Sequence, residues 1–343
     1  MGFSVDLNSD DRYCRDWSDN PGETMFNSPL FKAGYQPQFS GHETFPMRYG
    51  WLKKAYDAVK ESQESSNDHS VFNDEGAIAR LGVGKNMVAS IRHWATQCDV
   101  IKPGNKGNQA EVSEIGKKIF DDNGLDPFME YPSTPWLLHW KLASNKKLTT
   151  WFWVFSHFPT DSFERDNIVQ ALDKLGNEQA WSRMSKSTIK RDVECFVRTY
   201  AAKPATGKQT HEDTMESPLT ELGLLKAIGK KDGFRVVRGP KATLGDGVFA
   251  YAVINFWNGF STANTISLEA LAHQPGSPGK VFQLSEDDLT DRLTRIEMAT
   301  NGRLKWSETA GLKQLVRSEK IQDQDALQLI DIDYQGEYEG KVA

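Results

Sequence analysis

Between Phe72 and Lys102 the chain reads FNDEGAIARLGVGKNMVASIRHWATQCDVIK, and few local folds satisfy that pattern. Its first apolar run stops at LGVG, where Gly82 and Gly84 suit a sharp turn between helices that needs φ > 0. The second run repeats at helical spacing, with Val88, Ile91 and Ala95 on one side and Met87 and Trp94 flanking them. Asn86, Ala89, Ser90 and His93 fall opposite, edged by Lys85 and Arg92. A small, polar, mildly basic stripe is what a helix entering a DNA major groove requires. The spacing therefore predicts helix, turn, helix and then a strand. It nominates Lys85, Asn86, Ser90, Arg92 and His93 as contacts to double-stranded DNA.

The next segment, VIKPGNKGNQAEVSEIGKKIF, predicts two short strands around a Pro-Gly/Asn-rich turn, feeding a helix. A hairpin directly behind a helix-turn-helix is the layout of a winged helix. Lys102, Asn105 and Lys106 would then lie on the wing, within reach of a phosphate backbone. An ordinary hairpin with a lysine at its tip is the plainer alternative.

Residues 162–200 repeat the logic. SFERDNIVQALDKLG is followed by SKSTIKRDVECFVRTYA, with Ser185 as a natural N-cap and Ile189, Val193, Phe196 and Tyr200 as the buried stripe. The other face carries Ser187, Arg191 and Arg198, flanked by Lys186 and Lys190 and interrupted by Glu194. This unit is more basic than the first, so it suits anchoring while the first suits recognition.

The net charge is −6, whereas a chain that binds DNA by counterion release alone would be basic overall. Any DNA contact must come from such local patches, and the acidic remainder limits non-specific adhesion. Cys14, Cys98 and Cys195 are widely spaced and form no Cys-x-x-Cys pair, which argues against a disulfide framework and a zinc module. The N-terminus lacks a signal-peptide pattern, and the strongest apolar stretch, Thr149 to Phe158, is too short to span a bilayer. A cytoplasmic location without membrane contact is expected.

The expected fold is mainly α with short β-hairpins (α+β): tandem winged-helix/helix-turn-helix units plus a helical C-terminal region. Residues 1–37, acidic and turn-rich, read as a poorly ordered arm. A winged-helix domain would cover 38–130. An aromatic helical region with the second helix-turn-helix would cover 131–240, and a helical C-terminal domain 241–343. Trp136, Trp140, Trp151 and Trp153 could stack on unpaired bases, although aromatics at this density more often form a core. FRVVRGPK reads as a second wing or as the first hairpin of the last domain. TISLEALAH and SETAGLKQLVRS read as helices, and Ser285 with Asp288 as a variant capping box. No long repeat stands out beyond the two helix-turn-helix-like units.

Reactive constellations are scarce. No P-loop is present, so no nucleotide cofactor is expected, and there is no nucleophile elbow or His-Glu-x-x-His helix. SGHETFPMRYG places His42 and Glu43 near Arg48, a combination able to supply a general base and to steady a phosphate. The plainer reading has His42 and Glu43 capping the following helix. His211, Glu212, Asp213 and Glu216 read as a solvated loop, and the carboxylates of DIDYQGEYEGK as a polar tail.

FSGHETFPMRYGWLKK, LGVGKNMVASIRHW, PWLLHWKLAS, TTWFWVF, TIKRDVECFVRTY, EDTMESPLTELGLL, SPGKVFQLSEDDL and SETAGLKQLVR, in this order, resemble the DUF4007 family over about residues 37–320. The resemblance implies a link to bacterial DNA phosphorothioation and phage defence. It further implies a cytoplasmic, metal-dependent (Mg²⁺ or Mn²⁺) nicking endonuclease that prepares DNA for sulfur incorporation. Its partners would be a cysteine desulfurase, an ATP pyrophosphatase and an ATPase. The absence of a recognisable nuclease motif keeps a non-catalytic DNA-binding adaptor open as the alternative. The resemblance fixes no catalytic or metal-binding residue.

Overall fold

The structure is a computed structural model that describes residues 28–65, 71–73, 76–104, 109–182, 184–201, 217–229 and 232–335. It is a mixed α and β fold with small antiparallel sheets. Helix α1 (Trp51–Glu64) starts from Gly50, which is left-handed at φ 75°, and no side chain caps it. His42 and Glu43 therefore do not cap this helix. His42 closes its own turn instead, with Nδ1 accepting from the Thr44 amide at 3.0 Å.

Helices α2 (Ala77–Leu81) and α3 (Lys85–Gln97) meet at the LGVG turn. Only Gly82 uses a glycine's freedom there, at φ 66°; Gly84 is extended with φ −66°. Strands β1 (Ile101–Pro103) and β2 (Ala110–Val112) pair antiparallel, with Ile101 opposite Val112. Asn105 and Lys106 lie outside the described residues. Helix α4 (Glu114–Phe120) is capped by Ser113, whose hydroxyl accepts from the Gly116 amide.

Helices α5 (Ser133–Ala143) and α6 (Thr149–His157) form the centre of the molecule. Trp136, Trp140, Trp151 and Trp153 are buried, so they make core and no stacking platform. Trp151 meets Phe196 edge-on at 5.3 Å, and Phe155 meets Tyr200 at 5.2 Å. His139 sits inside this aromatic packing, and burial pushes its pKa down to about 3. As a neutral imidazole it donates from Nε2 to the Val281 carbonyl at 2.8 Å and accepts at Nδ1 from the Tyr200 hydroxyl at 2.9 Å.

One strand order then occurs twice. After α6 come β3 (Ser162–Glu164), α7 (Arg165–Glu178), α8 (Lys186–Tyr200), β4 (Leu225–Ile228) and β5 (Gly233–Val236), with strand order β3-β5-β4. After α9 (Asp246–Phe260) come β6 (Thr265–Ser267), α10 (Leu268–His273), α11 (Pro278–Val281), α12 (Glu286–Thr294) and α13 (Ile296–Ala299). Strands β7 (Leu304–Thr309) and β8 (Leu312–Arg317) complete that set, in the order β6-β8-β7. Each set opens on a three-residue strand buried only at its centre, Phe163 or Ile266, whose last residue is the N-cap of the next helix. FRVVRGPK supplies β5 and pairs with β3 and β4.

One expectation fails here: the second set includes strands where helix was expected. SETAGLKQLVRS forms the β7–β8 hairpin because Ala310 and Gly311 take φ 51° and 82°, the pair of positive values of a two-residue type I′ turn. TIS is strand β6. The Ser285–Asp288 capping box forms as expected at the start of α12.

The arm expectation also fails for residues 28–37; residues 1–27 lie outside the described set. Ser28 is buried and lies 2.8 Å from His157 Nε2, Leu30 is fully enclosed, and Tyr35 donates to the Lys146 carbonyl at 2.8 Å. At the other end, α14 (Asp323–Leu327) and the turn Gln328–Tyr334 run back across the molecule. Asp333 accepts the Gly247 and Val248 amides at the start of α9, at 2.9 and 2.7 Å. Lys118 of α4 reaches Gln328 at 2.8 Å, and Thr134 reaches the Tyr334 hydroxyl at 3.0 Å. Among the described residues no helix is long and apolar enough to cross a membrane.

Candidate nucleic-acid interface

Helix α8 begins at Ser185, whose hydroxyl accepts from the Thr188 amide at 3.2 Å. Its buried side is Ile189, Val193, Phe196 and Tyr200, as the spacing predicted. Lys186, Ser187, Lys190 and Arg191 are all exposed on the first two turns. The pairs 186/190 and 187/191 are each four residues apart, so they share one face. Lys186, Lys190 and Arg191 have no ion pair among the described residues. Arg191 makes one long contact, from Nε to the Ser187 carbonyl at 3.4 Å. Arg198, two turns further, is half-buried and donates to the Thr44 carbonyl at 3.3 Å.

Helix α3 presents less than its pattern suggested. Lys85, Asn86 and Ala89 are exposed and Arg92 is half-buried, but Ser90 and His93 are buried and do not belong to an outer stripe. The reason is a second layer. The loop around Gly41 lies over this side of α3, so close that a Cβ on Gly41 would stand 2.4 Å from His93 Nδ1. Burial, with His42 beside it, pushes the His93 pKa down to about 3, so this imidazole is neutral. What remains open on α3 is its N-terminal half, the part of a recognition helix that normally meets base edges.

The same loop holds the three residues nominated for chemistry. His42 is buried, stacks on Trp94 at 6.3 Å, and places Nε2 2.8 Å from Asp192 Oδ1 on α8. Arg48 is buried, with its guanidinium over the rings of Phe45 and Trp51 at 5.7 and 5.5 Å. Glu43 alone is exposed. It and Thr44 both take left-handed backbone, φ 47° and 66°, a conformation that costs non-glycine residues energy and is often kept at functional positions. No hydrogen bond or ion pair joins Glu43, His42 and Arg48 to one another. Among the described residues no group of three or more His, Cys, Asp or Glu side chains could hold a metal ion.

Asp192 is the residue that the sequence reading missed. Its signal was present: it falls on the apolar stripe between Ile189 and Phe196, and a buried acid there demands a partner from elsewhere. Cys98 and Cys195 are free and buried. Lys102 lies on β1 and pairs loosely with Glu111 at 3.7 Å. His211, Glu212, Asp213 and Glu216 lie outside the described residues.

Small antiparallel sheets thus alternate with helices along the chain, and Lys186, Lys190 and Arg191 gather on the exposed face of one helix of the middle set. The chain belongs to the DUF4007 family of proteins of unknown function, whose pattern it matches over residues 39–334. Its fold is similar to a magnesium ion-bound SspB crystal structure, with 28% identity, a TM-score of 0.77 and 90% of each chain covered. An SspB crystal structure matches at 27% identity and a TM-score of 0.75, over 89% of this chain and 90% of the other. No curated protein matches the sequence.

Proposed function

We propose that this protein grips duplex DNA at two points and acts as a DNA-nicking endonuclease of a bacterial DNA phosphorothioation system. The exposed face of α8 carries the reading. Lys186, Lys190 and Arg191 stand together, free of acid partners, on an otherwise acidic chain. Such a face exchanges counterions for phosphates and supplies sequence-independent affinity. The open N-terminal half of α3, Lys85 to Ala89, would then meet the groove. On this reading the first unit, with its hairpin β1–β2, is a winged helix. The sets beginning at α6 and α9 follow the winged-helix order of helix, strand, two or more helices and hairpin.

The third set differs in charge. Its α12 carries Glu286, Asp287, Asp288 and Asp291, which repel a phosphate backbone, so the grip belongs to the first two units. Likeness to SspB, known in a magnesium ion-bound form, supports Mg²⁺ as the metal of this reading. The partners it calls for are a cysteine desulfurase, an ATP pyrophosphatase and an ATPase. The described residues do not form a metal-binding group.

Burial of His42 and Arg48 favours a second reading, in which the chain is a DNA-binding adaptor that recruits those enzymes. Relaxation of supercoiled plasmid by the purified protein, in Mg²⁺, Mn²⁺ and EDTA, separates the two. Nicked circles in either metal support the endonuclease; intact plasmid with tight DNA binding in every buffer leaves the adaptor.

A further inference from the structure

Helix α9 ends in the sequence Asn255, Phe256, Trp257, Asn258, Gly259, Phe260. Its outer wall borders a cleft of about 570 Å³, closed on the far side by the α5–α6 turn and by the turn at Pro29. That volume lies within the ~300–1,000 Å³ common for small-ligand sites. Phe256 and Phe260 lie nearly parallel, with centroids 5.2 Å apart and planes 16° apart, and Phe260 is 43% exposed. Lys32 and Lys146 line the same cleft, both exposed and without an ion pair among the described residues. Among the described residues no Asp or Glu lines it, although the chain as a whole is acidic.

Amide groups complete the wall. Asn255 Oδ1 accepts from Trp140 Nε1 at 3.1 Å, which fixes the amide and keeps its two N–H donors for another partner. Gln274 adds a second side-chain amide. Gly259 leaves room: a Cβ built there meets nothing within 4 Å.

From this arrangement we propose that the cleft binds one unpaired nucleotide of a DNA strand. Each part of a nucleotide finds its counterpart. The flat phenyl pair offers a stacking face that accepts any base. The amides can bond a base edge, and the two ammonium groups suit the phosphates on either side. The inference rests on DNA as the partner, as proposed above, and adds a strand-sensing site apart from α3 and α8. A protein acting on one strand of a duplex gains from such a site, because an unstacked base marks the strand that has opened.

The test is fluorescence anisotropy on the full chain, with a labelled single-stranded oligodeoxynucleotide and the matching blunt duplex. Phe260→Ala should weaken single-strand binding about tenfold. Gly259→Leu fills open space on a helix, so it should melt no lower than the wild type and still block the strand. Lys32→Gln with Lys146→Gln should lower the single-strand salt slope by about 1.4. In all of these variants duplex affinity should hold within about twofold.

Unchanged single-strand affinity in Phe260→Ala and Gly259→Leu would overturn the proposal. So would saturable binding of ATP by a protein that ignores the strand, which would mark a free-nucleotide site. Single-strand binding that depends on Phe260, in a protein without duplex affinity, would support the cleft while removing the two-helix grip.

Discussion

His42 Nε2 and Asp192 Oδ1 lie 2.8 Å apart in the interior and join two units through residues 150 positions apart in the sequence. Around this pair stand His93 and Trp94 of α3 and Trp151 of α6, so one loop residue touches both helices proposed to meet DNA and the central core. We expect His42→Ala to destabilise the fold by about 3 kcal/mol or more, because the Asp192 carboxylate would be left buried without its partner. Urea unfolding measures this. A loss of nicking at full stability would instead make His42 part of the chemistry.

Arg191→Ala should weaken duplex binding and reduce the slope of log K against log salt by about one, the signature of a lost phosphate contact. Binding titrations at several salt concentrations check it. An unchanged slope would mean that α8 does not face DNA.

Stability should fall on acidification. Burial holds the pKa of His93 and His139 near about 3 and that of His157 near about 4, all below the ordinary value of 6.5. Between those limits the unfolded chain takes up protons that the folded chain refuses. Stability from these imidazoles is therefore complete above pH ~6.5 and is lost as pH falls toward ~4, by up to roughly 1.4 kcal/mol per unit for each. Urea midpoints across that range read the slope directly, and a flat profile would show that these imidazoles titrate normally.

Gly41 and Gly259 should respond to alanine with opposite signs. Gly41 has φ 113° and presses on His93, so Gly41→Ala should destabilise by well over ~1 kcal/mol. Gly259 is helical with open space before it, so Gly259→Ala should stabilise by roughly 0.5–1 kcal/mol. Thermal melts of the two variants beside the wild type test the pair.

The helices themselves were legible because apolar spacing is a local property. Val88, Ile91 and Ala95 bury as their period requires. Whether the opposite face meets water depends on what packs there, and nothing inside α3 announces that Gly41 and His42 will cover Ser90 and His93. The β7–β8 hairpin was missed for another reason. SETAGLKQLVRS has residues acceptable to a helix, and the decisive fact is a left-handed Ala310, a conformation that alanine seldom adopts. The recurring strand order was hidden because its strands are short and the helices between them differ in number and in charge, basic in α8 and acidic in α12. The candidate chemistry was the least legible part. The sequence placed His42, Glu43 and Arg48 close together, but two of them turn inward.

The return of Gln328–Tyr334 across the molecule carries a consequence for synthesis. Thr134 bonds Tyr334, 200 positions further along the chain. At translation rates of about 5–20 residues per second, Thr134 leaves the ribosome roughly 10–40 s before its partner exists. The early units can assemble in that interval, but Thr134, Lys118 and the amides that open α9 must wait for the strap. The fold therefore closes by a late latch, and until it closes those groups stand open to chaperones and to other nascent chains.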